Sequence, residues 1–274
     1  MHTRMIPSSG QPLPVIGCGT WLGFDVGRRP LEIDQRGKVL DTLFDAGGCV
    51  IDSSPMYGSA EEVVGELLGR RTEREQAFIA TKVWTTGKRA GIEQMERSMR
   101  LLQRKQIDLM QVHNLVDWQT HLATLREWKA QKRILYIGVT HYTESGYAEL
   151  ENVMESEPLD FVQFNYSAAA RSAEQRLLPL AAQRGLAVLV NLPLGGGKLL
   201  KSLSTKPLPE WAREIGCESW NQVLLKFALS HPAVTCAIPG TSRPDHMREN
   251  AEAGEGDLPE RSWWNDKLAD IMGG

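Results

Sequence analysis

The sequence predicts a closed barrel of eight parallel strands alternating with helices, a (β/α)8 TIM-type fold. Three observations carry this expectation. Short apolar runs recur along the whole chain, amphipathic stretches lie between them, and a polar residue ends one run after another at a spacing of about one strand–helix unit. At 274 residues the chain is long for a sandwich and typical of one barrel. A chain of this length buries roughly three quarters of its unfolded surface, so neither a metal nor a disulfide is needed to hold it.

The apolar runs are residues 14–16, 50–51, 77–83, 107–112, 134–139, 159–164, 186–190 and 234–238. Continuous apolar runs of this kind suit strands covered on both faces. Helical spacing follows in Val39-Leu40-Leu43-Phe44, Val63-Val64-Leu67-Leu68, Met95-Met99-Leu102, Leu122-Leu125-Trp128, Leu177-Leu180-Ala181 and Val223-Leu224-Phe227-Leu229. Glycine after the first, second and fifth of these supplies a helix stop. Ahead of the barrel, residues 3–6 and 13–16 flank Pro7-Ser8-Ser9-Gly10, the turn composition of a β-hairpin. A doubly wound open sheet would place GxGxxG after its first strand. Gly17-Cys18-Gly19-Thr20 lacks the third glycine and the helix that should follow. No linker or low-complexity tract divides residues 1–274, which read as one barrel domain.

Charge and cysteine usage narrow the partners. With 31 basic and 34 acidic residues the net charge is −3, and no basic face for nucleic acid or an anionic membrane is expected. Cys18, Cys49, Cys217 and Cys236 form no CxxC or Cys/His pair, so neither a zinc site nor a disulfide framework is expected, and no other metal site is apparent. The N-terminus has no signal-length apolar stretch, and no run reaches the ~18 residues of a membrane span. Arg28-Arg29 precedes a charged, acidic segment and does not read as a twin-arginine signal. A soluble, cytoplasmic protein is expected; its oligomeric state is not encoded in any of these features.

The polar residues at strand ends carry the chemistry. Asp52, Lys82, His113, Thr140-His141, Gln163 and Asn191 follow or interrupt successive apolar runs, at steps of 23 to 31 residues. A barrel gathers such strand ends in a ring at its C-terminal mouth. Taken singly, the Asp reads as a helix cap, the His as a satisfied core group, and Tyr57 as a loop aromatic. Lys82 is different, because an ammonium inside Phe78-Ile79-Ala80-Thr81-Lys82-Val83-Trp84 must be paired, and the period makes Asp52 its partner. A Tyr hydroxyl, with a pKa near ~10, is a poor proton donor at neutral pH. A nearby ammonium stabilises the phenolate and should draw the pKa down, and an imidazole can polarise a carbonyl oxygen. Ser53-Ser54 lacks a GxSxG context, so no activated nucleophile is evident. What remains is proton transfer to a carbonyl oxygen, with electrons supplied by a cofactor.

These residues resemble the aldo-keto reductase family along essentially the whole chain. The resemblance rests on LPVIGCGTW (13–21), VIDSSPMYGSAEEVVGELL (50–68), ATKVW (80–84), the spacing of residues 100–114, IGVTHY (137–142) and CAIPGTSRPDHMREN (236–250). It implies an N-terminal hairpin beneath the barrel, reduction of a small-molecule carbonyl substrate, and a nicotinamide cofactor lying extended across the mouth. It also implies that Tyr57 donates the proton, Lys82 is its electrostatic partner, Asp52 fixes Lys82, and His113 orients the carbonyl. Gly19, Thr20 and Trp21 match the segment beside the nicotinamide ribose, and Gln163 matches the residue that binds the carboxamide. Thr140-His141 stands where the family commonly has Ser-Asn. Leu194, Gly195, Gly196 and Lys198 match the loop crossing the pyrophosphate, where glycine lets backbone N–H groups approach phosphate.

Two departures from the family pattern are expected to matter. Asn191 stands where many members carry a Tyr that stacks on the nicotinamide. In Pro239-Gly240-Thr241-Ser242-Arg243, glycine replaces a common Lys, and His246 replaces a common Arg. Thr241, Ser242, Arg243 and the first turn after Pro244 can still hold a 2′-phosphate, and Glu249-Asn250 matches the pair at the adenine. NADP(H) is therefore expected over NAD(H). The pocket is expected to be open and lined by Trp21, Trp84, Trp118 and Phe24. A hydrolase or isomerase barrel would need a carboxylate pair or metal ligands that the sequence lacks. A non-catalytic NADP(H)-binding sensor or accessory subunit remains the rival reading.

Overall fold

The computed structural model describes residues 1–71 and 76–272. Strands β1 (Thr3–Met5) and β2 (Pro12–Pro14) pair antiparallel as the hairpin the turn composition predicts. Eight parallel strands follow: β3 (Cys18–Gly19), β4 (Val50–Asp52), β5 (Phe78–Val83), β6 (Ile107–His113), β7 (Ile134–His141), β8 (Phe161–Asn165), β9 (Ala187–Asn191) and β10 (Cys236–Ala237). Each pairs with the next in chain order. Backbone bridges Ile16–Ala237 and Gly19–Gly240 then join the first parallel strand to the last and close the ring. Gly17 and Gly19 donate to the carbonyls of Ala237 (2.9 Å) and Pro239 (3.1 Å), and Ala237 donates to Val15 (2.8 Å).

Helices α1 (Pro30–Asp45), α2 (Ala60–Gly69), α3 (Lys88–Leu101), α4 (Trp118–Ala130), α5 (Tyr147–Ser156) and α6 (Leu177–Arg184) occupy successive crossovers. Three helices, α7 (Lys198–Leu203), α8 (Glu210–Glu214) and α9 (Trp220–Leu229), precede β10; α10 (Pro244–Glu252) and α11 (Leu268–Met272) follow it. The amphipathic reading anticipates six of these helices and the turn after Pro244. It misses α5, although Leu150, Val153 and Met154 have the same spacing, and the short helices α7, α8 and α11. It also places the first barrel strand at 14–16, whereas the parallel pairing starts at Ile16 and the strand proper is Cys18–Gly19. No helix among the described residues is long and apolar enough to cross a membrane.

The two-residue period of each strand decides what faces inward. Val50, Phe78, Ala80, Leu109, Tyr136, Phe161, Ala187, Leu189, Cys236 and Ile238 form an inner core, closed below by Ile6 and Leu13 of the hairpin. The residues between them, among them Ile51, Ile79, Met110, Val139, Val162 and Val188, pack outward against the helices. Continuing the inward face upward places Asp52, Lys82, Gln111, His113, Thr140, Gln163 and Asn191 at or near the mouth. The apolar floor and the polar rim thus lie on the same face of the same strands.

Arg4 of β1 ties the hairpin to the barrel. Its guanidinium donates to the carbonyls of Leu229 (2.6 Å), His231 (2.9 Å) and Val234, the first of which ends α9. A cation there satisfies carbonyls that a helix C-terminus leaves unpaired. Arg4→Ala should lower the unfolding free energy by about 2 kcal/mol, measured by urea denaturation. A loss no greater than that of an exposed Arg→Ala control would mean that the hairpin is held by Ile6 and Leu13 alone.

Candidate active site

Lys82 is the centre of the mouth. It is 1% exposed, and its Nζ donates to both oxygens of Asp52 (2.9 and 2.8 Å) and to the carbonyl oxygen of Ser53 (2.6 Å). Burial works against the ammonium, but Asp52, Tyr57 and Glu61 outweigh it and hold its pKa above the ordinary value. Burial pushes the Asp52 carboxyl upward, opposed by Lys82 and by the Gln163 amide. Ser53, Glu61 and Gln111 lie beside this pair and are not among the strand-end residues that the spacing picks out.

Tyr57 enters from the loop between β4 and α2. Lys82 Nζ lies 5.3 Å from the centre of its ring, and His113 meets the ring edge-on at 6.0 Å. The loop is pinned from the β3–α1 connection, where the Asp25 carboxylate accepts from the Ser59 backbone N–H and hydroxyl, both at 2.9 Å. The direction of the Tyr57 pKa differs from the sequence expectation. Burial raises it, and the positive charge of Lys82 only offsets part of that. The resting phenol therefore keeps its proton at neutral pH.

His113 ends β6, and its Nδ1 lies 3.0 Å from the Ser54 hydroxyl. Burial, then the charges of Lys82 and His141, bring its pKa down to about 3, so the ring is neutral at pH 7. When the Ser54 hydroxyl donates to Nδ1, the Nε2 position carries the hydrogen and is the donor. The strand stops abruptly: Asn114, Leu115 and Asp117 have φ of 52°, 56° and 48°, a conformation that costs non-glycine residues energy and recurs at functional sites. The unfolded chain binds a proton at His113 near pH ~6.5 and the folded one does not. Its contribution to stability is complete above that pH and falls away as the pH drops toward 3. His113→Asn should flatten the loss of stability between pH 6.5 and 5, read as urea midpoints. Parallel curves for the two proteins would show that this imidazole ionises in the folded state.

Gln163 sits between β7 and β9. Its Nε2 donates to Asn191 Oδ1 (2.6 Å) and Asp52 Oδ2 (3.3 Å), and its Oε1 accepts from Gln111 Nε2 (2.7 Å). Thr140 is buried beside it in register, and His141 packs on Tyr142 in a stacked arrangement at 6.4 Å. Thr20 donates to the Asp52 carbonyl and the Ser53 hydroxyl, both at 3.0 Å, which fixes the start of the segment that bears Trp21.

Further groups expected to hold a cofactor lie in the segments after β9 and β10 and on α10. Gly195, Gly196 and Gly197 have φ of 63°, 63° and 80°, and a Cβ on the last two would meet nothing within 4 Å, so a backbone with open space above it leads into α7. Leu194 precedes the turn and Lys198 follows it, exposed. Thr241 Oγ1 accepts from Arg243 N (3.1 Å), and the exposed Arg243 guanidinium pairs with Asp245. His246 is exposed on the first turn of α10. Glu249 accepts from Ser219, and Asn250 accepts from Asn221 Nδ2 (2.8 Å). A cleft of about 390 Å³ lined by Leu200, Trp220, Asn221 and Glu249 opens there. Buried Asn165 Oδ1 and Ser167 Oγ, at and just after the end of β8, have no partner among the described residues. Unpaired acceptors beside the ring, an open glycine turn and a mixed apolar–polar cleft fit an extended dinucleotide.

The substrate side is open. Trp21 and Trp84 are 55% and 42% exposed, with Met56 exposed between their loops. Trp118 is half-buried and donates to Glu149 (3.1 Å) at the start of α4. Phe24 corrects the expected lining: it is fully buried in the outer core, because the turn after Leu22 directs it beneath the mouth.

The profile of the Aldo/keto reductase family matches residues 15–265. The chain belongs to that family. It is 31% identical over 267 residues to the methylglyoxal reductase YeaE of Escherichia coli (strain K12), covering 94% of this chain and 92% of that one. A second E. coli relative, an NADH-specific methylglyoxal reductase, is 25% identical, with 87% and 89% covered. Among solved structures, an aldo-keto reductase from Klebsiella pneumoniae in complex with NADPH superimposes with a TM-score of 0.81 at 27% identity, over 99% of this chain and 94% of that one. As a member of the aldo/keto reductases, the chain is an NAD(P)H-dependent oxidoreductase.

Proposed function

We propose that the chain reduces an aldehyde or ketone to an alcohol at the barrel mouth, with the proton supplied by Tyr57. The observation that carries this reading is a phenol beside an ammonium that is itself clamped by a buried carboxylate. A bound nicotinamide cofactor supplies the hydride. The carbonyl oxygen lies between the Tyr57 hydroxyl and the Nε2–H of neutral His113, and both polarise it. As negative charge gathers on that oxygen, Tyr57 gives up its proton, and Lys82 stabilises the phenolate left behind. Asp52 keeps Lys82 charged and pointed at the phenol.

Small carbonyl compounds of the 2-oxoaldehyde type are the proposed substrates, as the names of the E. coli relatives suggest and as the short, open mouth permits. NADP(H) is the proposed cofactor, with Thr241, Ser242 and Arg243 around the 2′-phosphate and Glu249-Asn250 at the adenine. The NADPH-bound structural neighbour supports that choice.

Consumption of NADPH should be followed with methylglyoxal, other 2-oxoaldehydes and aromatic aldehydes. Turnover of the dicarbonyls is expected. NADPH binding with no turnover on any of them would instead support a sensor built on the same fold. Arg243→Ala should weaken NADPH binding about tenfold, the size of one charge-assisted hydrogen bond, and leave NADH binding unchanged. Equal weakening of both would rule out the 2′-phosphate contact.

A further inference from the structure

Ionised beside Lys82, Asp52 can only accept hydrogen bonds, and that fact fixes the polarity of the amides beside it. The Gln163 atom facing Asp52 must be its NH2, as the 3.3 Å contact has it. Its carbonyl oxygen therefore faces Gln111, whose own NH2 must donate across 2.7 Å. The second hydrogen of the Gln163 NH2 needs an acceptor, and Asn191 Oδ1 supplies it at 2.6 Å. Four side chains from β4, β6, β8 and β9 thus form one network, in which Gln111 donates to Gln163 and Gln163 donates to both Asp52 and Asn191.

The network has been given room. Gln111 and Gln163 belong to strands separated by β7, and they meet across Gly138. A Cβ at Gly138 would lie 3.0 Å from Gln111 Cγ and 3.1 Å from Phe161. Any larger side chain would occupy the path of the amide. Both Gln side chains are buried, so no water competes for these groups as it would at the surface.

We propose that Asn191 is a positioning residue that acts through Gln163 to hold the Asp52 carboxylate against Lys82. Asn191 has no ring to stack on a cofactor, and its amide oxygen is engaged by Gln163. It has become part of the support for the proton-transfer site. Without the Asn191 oxygen, one Gln163 hydrogen is left unpaired in a buried site, and the amide is free to turn its NH2 away from Asp52. The inference rests on the reductase reading for its meaning, but the hydrogen-bond network exists in the protein without cofactor or substrate.

The test is a titration of Asp52 in the cofactor-free protein, followed by NMR with 13C-carboxyl-labelled aspartate and assigned with Asp52→Asn. The charged and titratable groups around it are Lys82 on β5, Tyr57 in the β4–α2 loop, His113 on β6 and Glu61 on α2, with Cys18 on β3 and Cys236 on β10. Burial pushes the Cys18 thiol up to about 12 and Cys236 well above its ordinary value, so both stay neutral throughout. Glu61→Gln removes the second buried carboxyl as a control. Asn191→Leu should raise the Asp52 midpoint by about 0.5–1 pH unit, the loss of one hydrogen bond to the charged form. In a Gln163→Leu background the same change should add nothing, since its route is already cut. An unmoved midpoint, or an equal shift in both backgrounds, overturns the proposal whether or not the protein reduces carbonyls. If Asn191→Leu does not fold by circular dichroism, Gln111→Met cuts the network at its other end and must shift the midpoint in the same direction; no shift there also overturns it.

Discussion

Tyr57→Phe should lower kcat for carbonyl reduction by about 10²–10⁴-fold, the usual worth of a positioned general acid, with NADPH affinity nearly unchanged. The phenol is the group in the ring best suited to deliver a proton to a carbonyl oxygen at neutral pH. His113 is neutral, and its remaining proton is bound to a far less acidic nitrogen than an imidazolium's. Lys82 has its donors engaged by Asp52 and Ser53. Removing one oxygen from Tyr57 leaves the ring, its edge-on contact with His113 and the loop anchored by Asp25 in place. The effect should therefore fall on kcat and kcat/KM together, as for an interaction made only in the transition state. Unchanged turnover by the Phe variant would reassign the proton donor.

Lys82→Met should cost about 3–5 kcal/mol of folding stability, because it leaves the buried Asp52 charge without its counter-ion. It should also abolish reduction, since a phenolate at Tyr57 would then have no cation beside it. Asp52→Asn combined with Lys82→Met removes both charges, and by the same reasoning should be more stable than Lys82→Met alone. Urea denaturation of the singles and the double separates the two effects. A double variant no more stable than Lys82→Met would show that packing of the lysine stem, not charge pairing, dominates. Neither outcome would restore turnover, because the double variant still lacks the ammonium.

The strands and most of the helices were legible because burial imposes a period, and a period can be seen in one dimension. Asp52, Lys82 and His113 were legible for the same reason, as inward residues at the ends of successive strands. Gln111 obeys that rule too: it lies two residues before His113, on the same face of β6, and the rule would have found it. Ser54 and Glu61 were not accessible this way. Their roles depend on partners from elsewhere in the fold, His113 for Ser54, and Thr81 and Ser98 for Glu61, whose carboxylate they meet at 2.6 and 2.9 Å. The direction of the Tyr57 shift needed burial, which the pairing with Lys82 alone does not reveal. Phe24 was misplaced because a left-handed residue, Leu22 at φ 57°, turns the chain just before it. In the sequence Asn191 stands where an aromatic is common, whereas in the fold its oxygen has a partner in Gln163.

The seam between β3 and β10 has a kinetic consequence. The pairing of β6 with β7 runs over six residue pairs, while the ring is closed by isolated bridges at Ile16–Ala237 and Gly19–Gly240. Those bridges join segments some 220 residues apart, so closure must await nearly all of the chain and gains few hydrogen bonds when it comes. The barrel should zip from its middle and latch last, at the edge that carries Pro239 to Arg243. A dinucleotide gripping that edge would act as the latch, and the amides of Gly17, Gly19 and Ala237 would exchange their hydrogens more slowly once it is bound.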